Sequence, residues 1–343
     1  MSELGPVRPK EQLDWKRLEQ YLRTELPDLV GGMNVQQFYG GHANLTYLLT
    51  FGERELVLRR PPFGKIAPGA HDMKREFRVL SKLWAHYGPA PRAYVYGEDP
   101  TVIGAPFVVM ERCTGVVVRY RVPAAFADVP DAEQRLATAL IDALAELHRV
   151  DYAAAGLERL GRPEGFVARQ LAGWKKRFAL AGGAADATST AILAALEATI
   201  PAPQATAILH NDFKLDNCQF APDDPDCVTA VFDWDMATLG DPLVDLGTTL
   251  CYWPDPAIAP GTLPVEMHGD WPAKQFLIDR YAARTGLDLA ALDWYQAFAY
   301  WKNGIILQQL YHRYRQGGST DPRMEKFGGT AAAFMRVARG LVG

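Results

Sequence analysis

The chain has 343 residues, 48% of them hydrophobic and 22% charged, with a formal net charge of −4 and a pI near 6.0. That length accommodates about two domains, or one two-lobed domain, around a sizeable buried core. The negative balance sets up no global basic field, which excludes the broad attraction that draws proteins to nucleic acid or an anionic membrane. No uncharged apolar run reaches the ~18 residues of a membrane helix. The N-terminus carries Glu3, Arg8, Lys10 and Glu11 in place of a signal-peptide core, so the expectation is a cytoplasmic protein. Four cysteines, Cys113, Cys218, Cys227 and Cys251, form no CxxC pair and read as thiols of a reducing compartment.

In chain order, Asp14 caps a predicted helix whose apolar positions Trp15, Leu18, Leu22 and Leu26 follow helical spacing up to Pro27. Val35 to Phe38 and Leu45 to Phe51 read as strands, joined by the turn Gly40-Gly41-His42-Ala43-Asn44. Backbone without Cβ can approach phosphates closely and donate N–H groups, so this turn suits a nucleotide as well as it suits a plain hairpin. Leu56 to Arg59 is a third strand. Met73, Phe77, Leu80, Trp84 and Tyr87 then share one face of a helix predicted over 72–87. Tyr94 to Tyr96 and Phe107 to Met110 read as two further strands.

A second lobe is expected from about Gly115. Asp131 to Val150 reads as a helix with Leu136, Leu140, Leu144 and Leu147 in one stripe, and His148 at its end reads as a packed, hydrogen-bonded histidine. Residues 179–190, rich in Ala, Gly, Ser and Thr, suggest a mobile connection. The last third carries many aromatics, with Phe298 to Gln316 as a long amphipathic helix. Aromatic walls suit an organic substrate, and core packing accounts for such residues equally well.

The chemistry concentrates in His210-Asn211-Asp212-Phe213-Lys214-Leu215-Asp216-Asn217 and in Val231-Phe232-Asp233-Trp234-Asp235. Each loop is fed by a short β-like run. The order is His-x-Asp, four residues, Asn, then an Asp sixteen positions on. Phosphoryl transfer from ATP needs these residue types, because its loose transition state calls for positioning and charge neutralisation more than covalent help. One carboxylate, Asp212, orients or accepts the hydroxyl proton; the Asn217 amide oxygen and Asp233 hold magnesium against the phosphates. Lys214, two residues after Asp212, is placed to meet the transferred phosphate. Asp235 is open between a second metal ligand and a turn-stabilising acid.

These two loops resemble the kinase-like fold, specifically its aminoglycoside phosphotransferase and choline kinase branch, over roughly residues 30 to 315. The wording of the first loop is most similar to the acyl-CoA-dehydrogenase-associated phosphotransferases. The resemblance implies an α+β, two-lobed fold: residues 1–113 as a nucleotide-binding lobe with an antiparallel sheet and a helix, residues 114–343 as a mainly helical catalytic and substrate-binding lobe. It places Gly40, Gly41 and Asn44 over the phosphates. It also places Arg59 where relatives carry a lysine that pairs with phosphates and a helix glutamate, here Glu76. Arginine for lysine is a departure, since a planar fork is not a point charge, and Arg60 or Lys65 could share the role. Glu111 and Cys113 would hold adenine through backbone groups, bordered by Met110. In relatives the stretch Gly240-Asp241-Pro242 and Asp245-Leu246 opens a helix supporting the catalytic loop, which makes Asp245 a structural hydrogen-bonding residue.

The expectation is an ATP- and Mg2+-dependent phosphotransferase acting on a small-molecule hydroxyl, without a nucleic-acid or membrane partner. A protein kinase fits less well: Asn211 stands where an arginine would read a phosphorylated activation loop, Asp233-Trp234-Asp235 departs from Asp-Phe-Gly, and no Ala-Pro-Glu follows. A Walker-type ATPase lacks its motif here. Two alternatives stay open, a nucleotide-binding pseudoenzyme and an aminoglycoside O-phosphotransferase. Between Trp253 and Gln316 six acids balance six Lys and Arg, which favours no polycationic acceptor. A hydroxyacyl thioester or hydroxy acid is the acceptor class implied by the resemblance.

Overall fold

The computed structural model describes residues 4–39, 44–64, 71–119, 121–180, 187–263, 267–318 and 321–343. The chain forms two compact units. Residues 1–114 with 151–160 and 229–237 make the first, and 115–150, 161–228 and 238–343 make the second.

The first unit runs β1 (Leu4–Gly5), α1 (Trp15–Glu25), β2 (Met33–Phe38), β3 (Leu45–Phe51), β4 (Arg54–Arg60), α2 (Met73–Leu83), β5 (Ala93–Gly97), the single-turn α3 (Pro100–Ile103) and β6 (Phe107–Glu111). The strands make one antiparallel sheet in the order β1-β2-β3-β4-β6-β5. Helix α1 starts where the Asp14 carboxylate accepts from the Arg17 N–H at 3.0 Å, a cap that stabilises by about 1 kcal/mol. Leu18 and Leu22, one turn apart, are fully buried by this helix, each burial contributing roughly 1.5–3 kcal/mol. They share a core with Tyr47, Leu49 and Phe51 of β3, Leu56 and Leu58 of β4, and Phe107 and Val109 of β6.

Strand parity then positions the site. With Leu56 and Leu58 committed to that core, the two-residue period turns Arg59 to the opposite face, and the same logic turns Met110 there from β6. The ladder sets Arg59 opposite Val108 and Val57 opposite Met110. Helix α2, capped by Asp72 onto the Arg75 N–H at 3.0 Å, packs against β5 and β6. It ends at Leu83, short of the predicted Tyr87, because the chain tightens there: His86 N–H bonds the Leu83 carbonyl three residues back.

The second unit contains β7 (Val116–Val117), α4 (Ala132–Arg149), α5 (Phe166–Leu180), α6 (Ala187–Ala198), β8 (Ala207–Leu209), β9 (Cys218–Ala221), β10 (Asp224–Val231), β11 (Thr238–Gly240), α7 (Leu243–Cys251), α8 (Lys274–Thr285), α9 (Leu292–Arg315) and α10 (Phe327–Val342). The last three residues of β10 belong to the first unit. Strands β10, β9 and β7 form one small sheet, and β11 pairs with β8 in another. Residues 187–190, expected in a connection, open α6, and residues 181–186 lie outside the described residues. Every residue of α7 is buried. At Gly247 a Cβ would stand 2.8 Å from the Tyr295 carbonyl group, so α7 and α9 meet backbone to backbone. Among the described residues no helix is long and apolar enough to cross a membrane.

Candidate active site

In the second unit the site is the loop between β8 and the 3-10 turn Leu215–Asn217. Asn211 adopts φ +67°, a left-handed conformation that Asn tolerates better than most residues. One carboxylate holds this reversal: Asp245, fully buried in the first turn of α7, accepts from the His210 N–H at 2.6 Å and the Asn211 N–H at 2.7 Å. Asp245 is steadied in turn by His148, whose Nε2 lies 3.4 Å away while its Nδ1 meets the Tyr281 hydroxyl at 2.6 Å. His210 is fully buried, its ring edge-on to Phe213, and its Nδ1 accepts from the Asp212 N–H at 3.3 Å. It is a packing residue of the loop.

The loop presents Asp212 with both oxygens engaged. The Tyr252 hydroxyl donates to Oδ1 at 2.8 Å; Asn217 Nδ2 donates to Oδ2 at 2.9 Å, and the Lys214 ammonium stands 3.0 Å from the same oxygen. Lys214 also lies 4.9 Å above the Tyr252 ring and 3.9 Å from Asp216. Burial pushes the Asp216 carboxyl up, against the pull of Lys214. Burial, and then the Asp212 charge, drives the Tyr252 hydroxyl well above its ordinary range, so it is a proton donor to Asp212 and not a phenolate. The Asn217 amide nitrogen also donates to the Asp212 carbonyl at 2.8 Å, which turns its amide oxygen away from Asp212.

In the first unit Arg59, 8% exposed, joins two acids. Its Nη1 is 3.2 Å from Glu76 Oε1 and its Nη2 donates to Asp233 Oδ1 at 2.7 Å. Burial alone would lower the guanidinium pKa; Glu76 and Asp233 outweigh it and raise it. Glu76 is fully buried, and desolvation pushes its carboxyl up to about 7 in spite of Arg59. Asp233 is held at φ +71° by the turn Trp234–Met236, whose buried Trp234 donates from Nε1 to the Val231 carbonyl at 2.7 Å. Asp235 sits half-buried in that turn. Asn44 is buried, with Oδ1 2.8 Å from His71 Nδ1. Burial lowers the His71 pKa, with Asp233 opposing.

At the end of β6, Met110 is buried on the Arg59 face. The Glu111 N–H donates to the Arg92 carbonyl at 2.9 Å, and the Cys113 carbonyl accepts from Arg112 at 2.7 Å. The groups that a nucleobase could use there are the Glu111 carbonyl and the Cys113 N–H. Burial pushes the Cys113 thiol up to about 11, so it is no nucleophile. Gly40, Gly41 and Lys65 lie outside the described residues.

Hard oxygen donors suit Mg2+, and both residues expected to hold it qualify: Asn217 by its outward amide oxygen, Asp233 by its carboxylate. Among the described residues no cluster of three His, Cys, Asp or Glu could cage a metal. Tyr252, His71 and Lys302 were not singled out from sequence as site residues. Tyr252 could have been, as the aromatic that follows the helix behind the catalytic loop.

Comparison with known proteins accords with this geometry. Residues 34–295 match the phosphotransferase enzyme family. Acyl-CoA dehydrogenase family member 11 of Rattus norvegicus is 32% identical over 92% of this chain and 41% of its own length; member 10 of Mus musculus is 30% identical over 97% and 31%. The chain therefore spans about a third to two-fifths of these relatives. A crystal structure from Ralstonia eutropha JMP134, provisionally named an aminoglycoside phosphotransferase, superposes with a TM-score of 0.81 at 28% identity, covering 96% of this chain and 98% of that one. The GDP complex of aminoglycoside 2'-phosphotransferase-IIIa, at 15% identity and TM-score 0.61 over 95% and 99%, shares the fold. With its antiparallel sheet unit, its helical unit and its Asp212 loop, this chain belongs to the phosphotransferase enzyme family, within the kinase-like fold of small-molecule phosphotransferases.

Proposed function

We propose that the chain transfers a phosphoryl group from ATP to the hydroxyl of a small hydroxy acid or hydroxyacyl thioester. The observation that carries this reading is the donor set around Asp212, in which Tyr252 already places a hydroxyl on Oδ1 as an acceptor alcohol would. In the reaction the acceptor hydroxyl takes that place, and Asp212 orients it and receives its proton. Lys214 neutralises charge on the moving phosphoryl group. Arg59, backed by Glu76, contacts the other phosphates; Asn44 lies over them; Met110 and the backbone of Glu111 and Cys113 hold the base. Residues 1–113 act as the nucleotide lobe and 114–343 as the catalytic and substrate lobe. Asn217 and Asp233 are the magnesium ligands, and the ion supplies neutralisation of phosphate charge. The acyl acceptor is supported by the relatives' names, which link such domains to acyl-CoA chemistry.

The test is ADP release, with ATP and Mg2+, across hydroxyacyl-CoAs, hydroxy acids, aminoglycosides, choline and sugars, beside Asp212→Asn. The expected result is an acceptor-dependent signal from an acyl compound that falls by about 10²–10⁴-fold in the variant. Tight ATP binding with silence across the panel would sink the reaction. A signal confined to aminoglycosides would sink the acceptor class.

A further inference from the structure

Lys302 is a cation buried without a counter-ion. It lies on the part of α9 that is buried from Trp294 to Ile305, and it is only 6% exposed. Among the described residues its ammonium makes no hydrogen bond and meets no carboxylate oxygen within 4.0 Å. The next residue, Asn303, donates to Cys251 Sγ at 3.4 Å, which ties this stretch of α9 to the end of α7, beside Tyr252 and its bond to Asp212.

The charges that Lys302 feels are Asp212, Asp245 and the Cys251 thiol. None of them is its partner. Asp245 spends its oxygens on two backbone N–H groups and His148. Asp212 spends its own on Tyr252, Asn217 and Lys214. Burial accordingly lowers the Lys302 pKa, with the two aspartates holding it back. The stem of Lys302 is buried but its ammonium is not sealed from solvent, the arrangement of a lysine that lays its alkyl chain along apolar surface and keeps its charged head where water or an anion can reach it. The neighbouring cation on the same unit shows the usual solution: Lys274 is paired with Asp255 at 2.5 Å and bonded to Tyr300.

We infer that Lys302 is the seat of an anionic oxygen on the phosphoryl acceptor, a carboxylate or a phosphate ester carried by the same molecule as the hydroxyl that meets Asp212. This rests on the phosphotransferase reading above and deepens it by naming the charge of the acceptor. A cation in this position supplies three donors to an incoming anion and repels the ammonium groups of aminoglycosides or choline. Selectivity then comes from attraction and exclusion at one residue.

The experiment measures calorimetric binding to the full chain in parallel with ADP release. The probes are hydroxycarboxylates against their carboxamides, and hydroxyacyl-CoA thioesters against the phosphate-free hydroxyacyl-pantetheines. Wild type is compared with Lys302→Met and Lys302→Arg. In wild type one charged series binds at least tenfold more tightly than its uncharged counterpart, and which series does so tells carboxylate from phosphate. In Lys302→Met that ratio falls towards one; in Lys302→Arg part of it survives. Without ligand, Lys302→Met melts no lower than wild type, because no acceptor among the described residues is paired with the ammonium. A lower melting temperature would mark Lys302 as a structural counter-ion of Asp212 and Asp245 and overturn the inference. So would equal binding of charged and uncharged probes, no binding of any charged probe, or an equal loss for both in Lys302→Met. A charge preference that depends on Lys302 but brings no ADP release would leave Lys302 standing and remove the phosphotransferase reading. Release of ADP from charged and uncharged acceptors alike would do the reverse.

Discussion

Arg59 donates to Asp233 at 2.7 Å while its second terminal nitrogen stands 3.2 Å from Glu76, so one guanidinium spans two acids that are 157 positions apart in the chain. A lysine, with one compact ammonium, has no second arm for this. The arginine builds a bridge that a lysine would not.

Removing the bridge strands its acids. Arg59→Met is expected to cost ~3–5 kcal/mol at about pH 8, where Glu76 is ionised, and less at about pH 6, where Glu76 takes up a proton and needs no counter-charge. Urea unfolding of Arg59→Met, Glu76→Met and the double variant checks this: the double variant should recover much of the single-variant loss.

Glu76 itself makes stability pH-dependent. Its carboxyl titrates at an ordinary value of 4.5 when unfolded and at about 7 in the fold. The fold therefore prefers the protonated form; this contribution is fully present below the unfolded value and is lost as pH rises through about 7. Glu76→Gln removes the titration. Between about pH 5 and pH 8 wild type should lose stability relative to the variant, as read from paired urea curves. A gap that stays constant across that range would refute the raised pKa.

Asp245 should matter to fold and reaction together. Asp245→Asn keeps the shape but turns an amide NH2 towards one of two backbone N–H donors. An unsatisfied buried donor costs about 1–3 kcal/mol. The expected outcome is a lower melting temperature together with loss of ADP release, since the Asp212 loop is bent by that carboxylate. Full activity in the variant would show that the loop holds its conformation without it.

Two helix glycines should respond with opposite sign. Gly247→Ala drives a methyl onto the Tyr295 backbone at 2.8 Å and should cost about 1–3 kcal/mol. Gly173, exposed on α5 with nothing within 4 Å of a built Cβ, should gain about 0.5–1 kcal/mol as Gly173→Ala. Thermal unfolding of both distinguishes packing from helix propensity.

Local pattern carried much of the fold. β3 begins and ends at the expected Leu45 and Phe51, and α1 starts at its Asp14 cap. Pattern failed where burial is not one-sided. Helix α9 starts at Leu292 rather than Phe298, because Leu292, Trp294, Tyr295 and Ala297 are all buried and leave no polar face to mark a period. Helix α6 hid among Ala, Ser and Thr, small residues that read as a connection although alanine is the best helix former. At the site, Asp212, Lys214 and Asn217 stand within six residues, and their bonds follow from a short motif. The Tyr252 bond to Asp212 and the Arg59 bond to Asp233 join residues 40 and 174 positions apart, which no local spacing encodes.

The contact at Gly247 also acts as a ruler. Where main chain rests on main chain there is no rotamer to flip and no methyl to compress, so the lateral spacing of α7 and α9 is a hard stop. Asp245 lies two residues before that stop on one helix, and Lys302 lies about two turns beyond it on the other. The frame that carries the Asp212 loop on one side and the backbone of Lys302 on the other is therefore set by main-chain contact, and the lysine stem alone is left to adjust to the length of an acceptor.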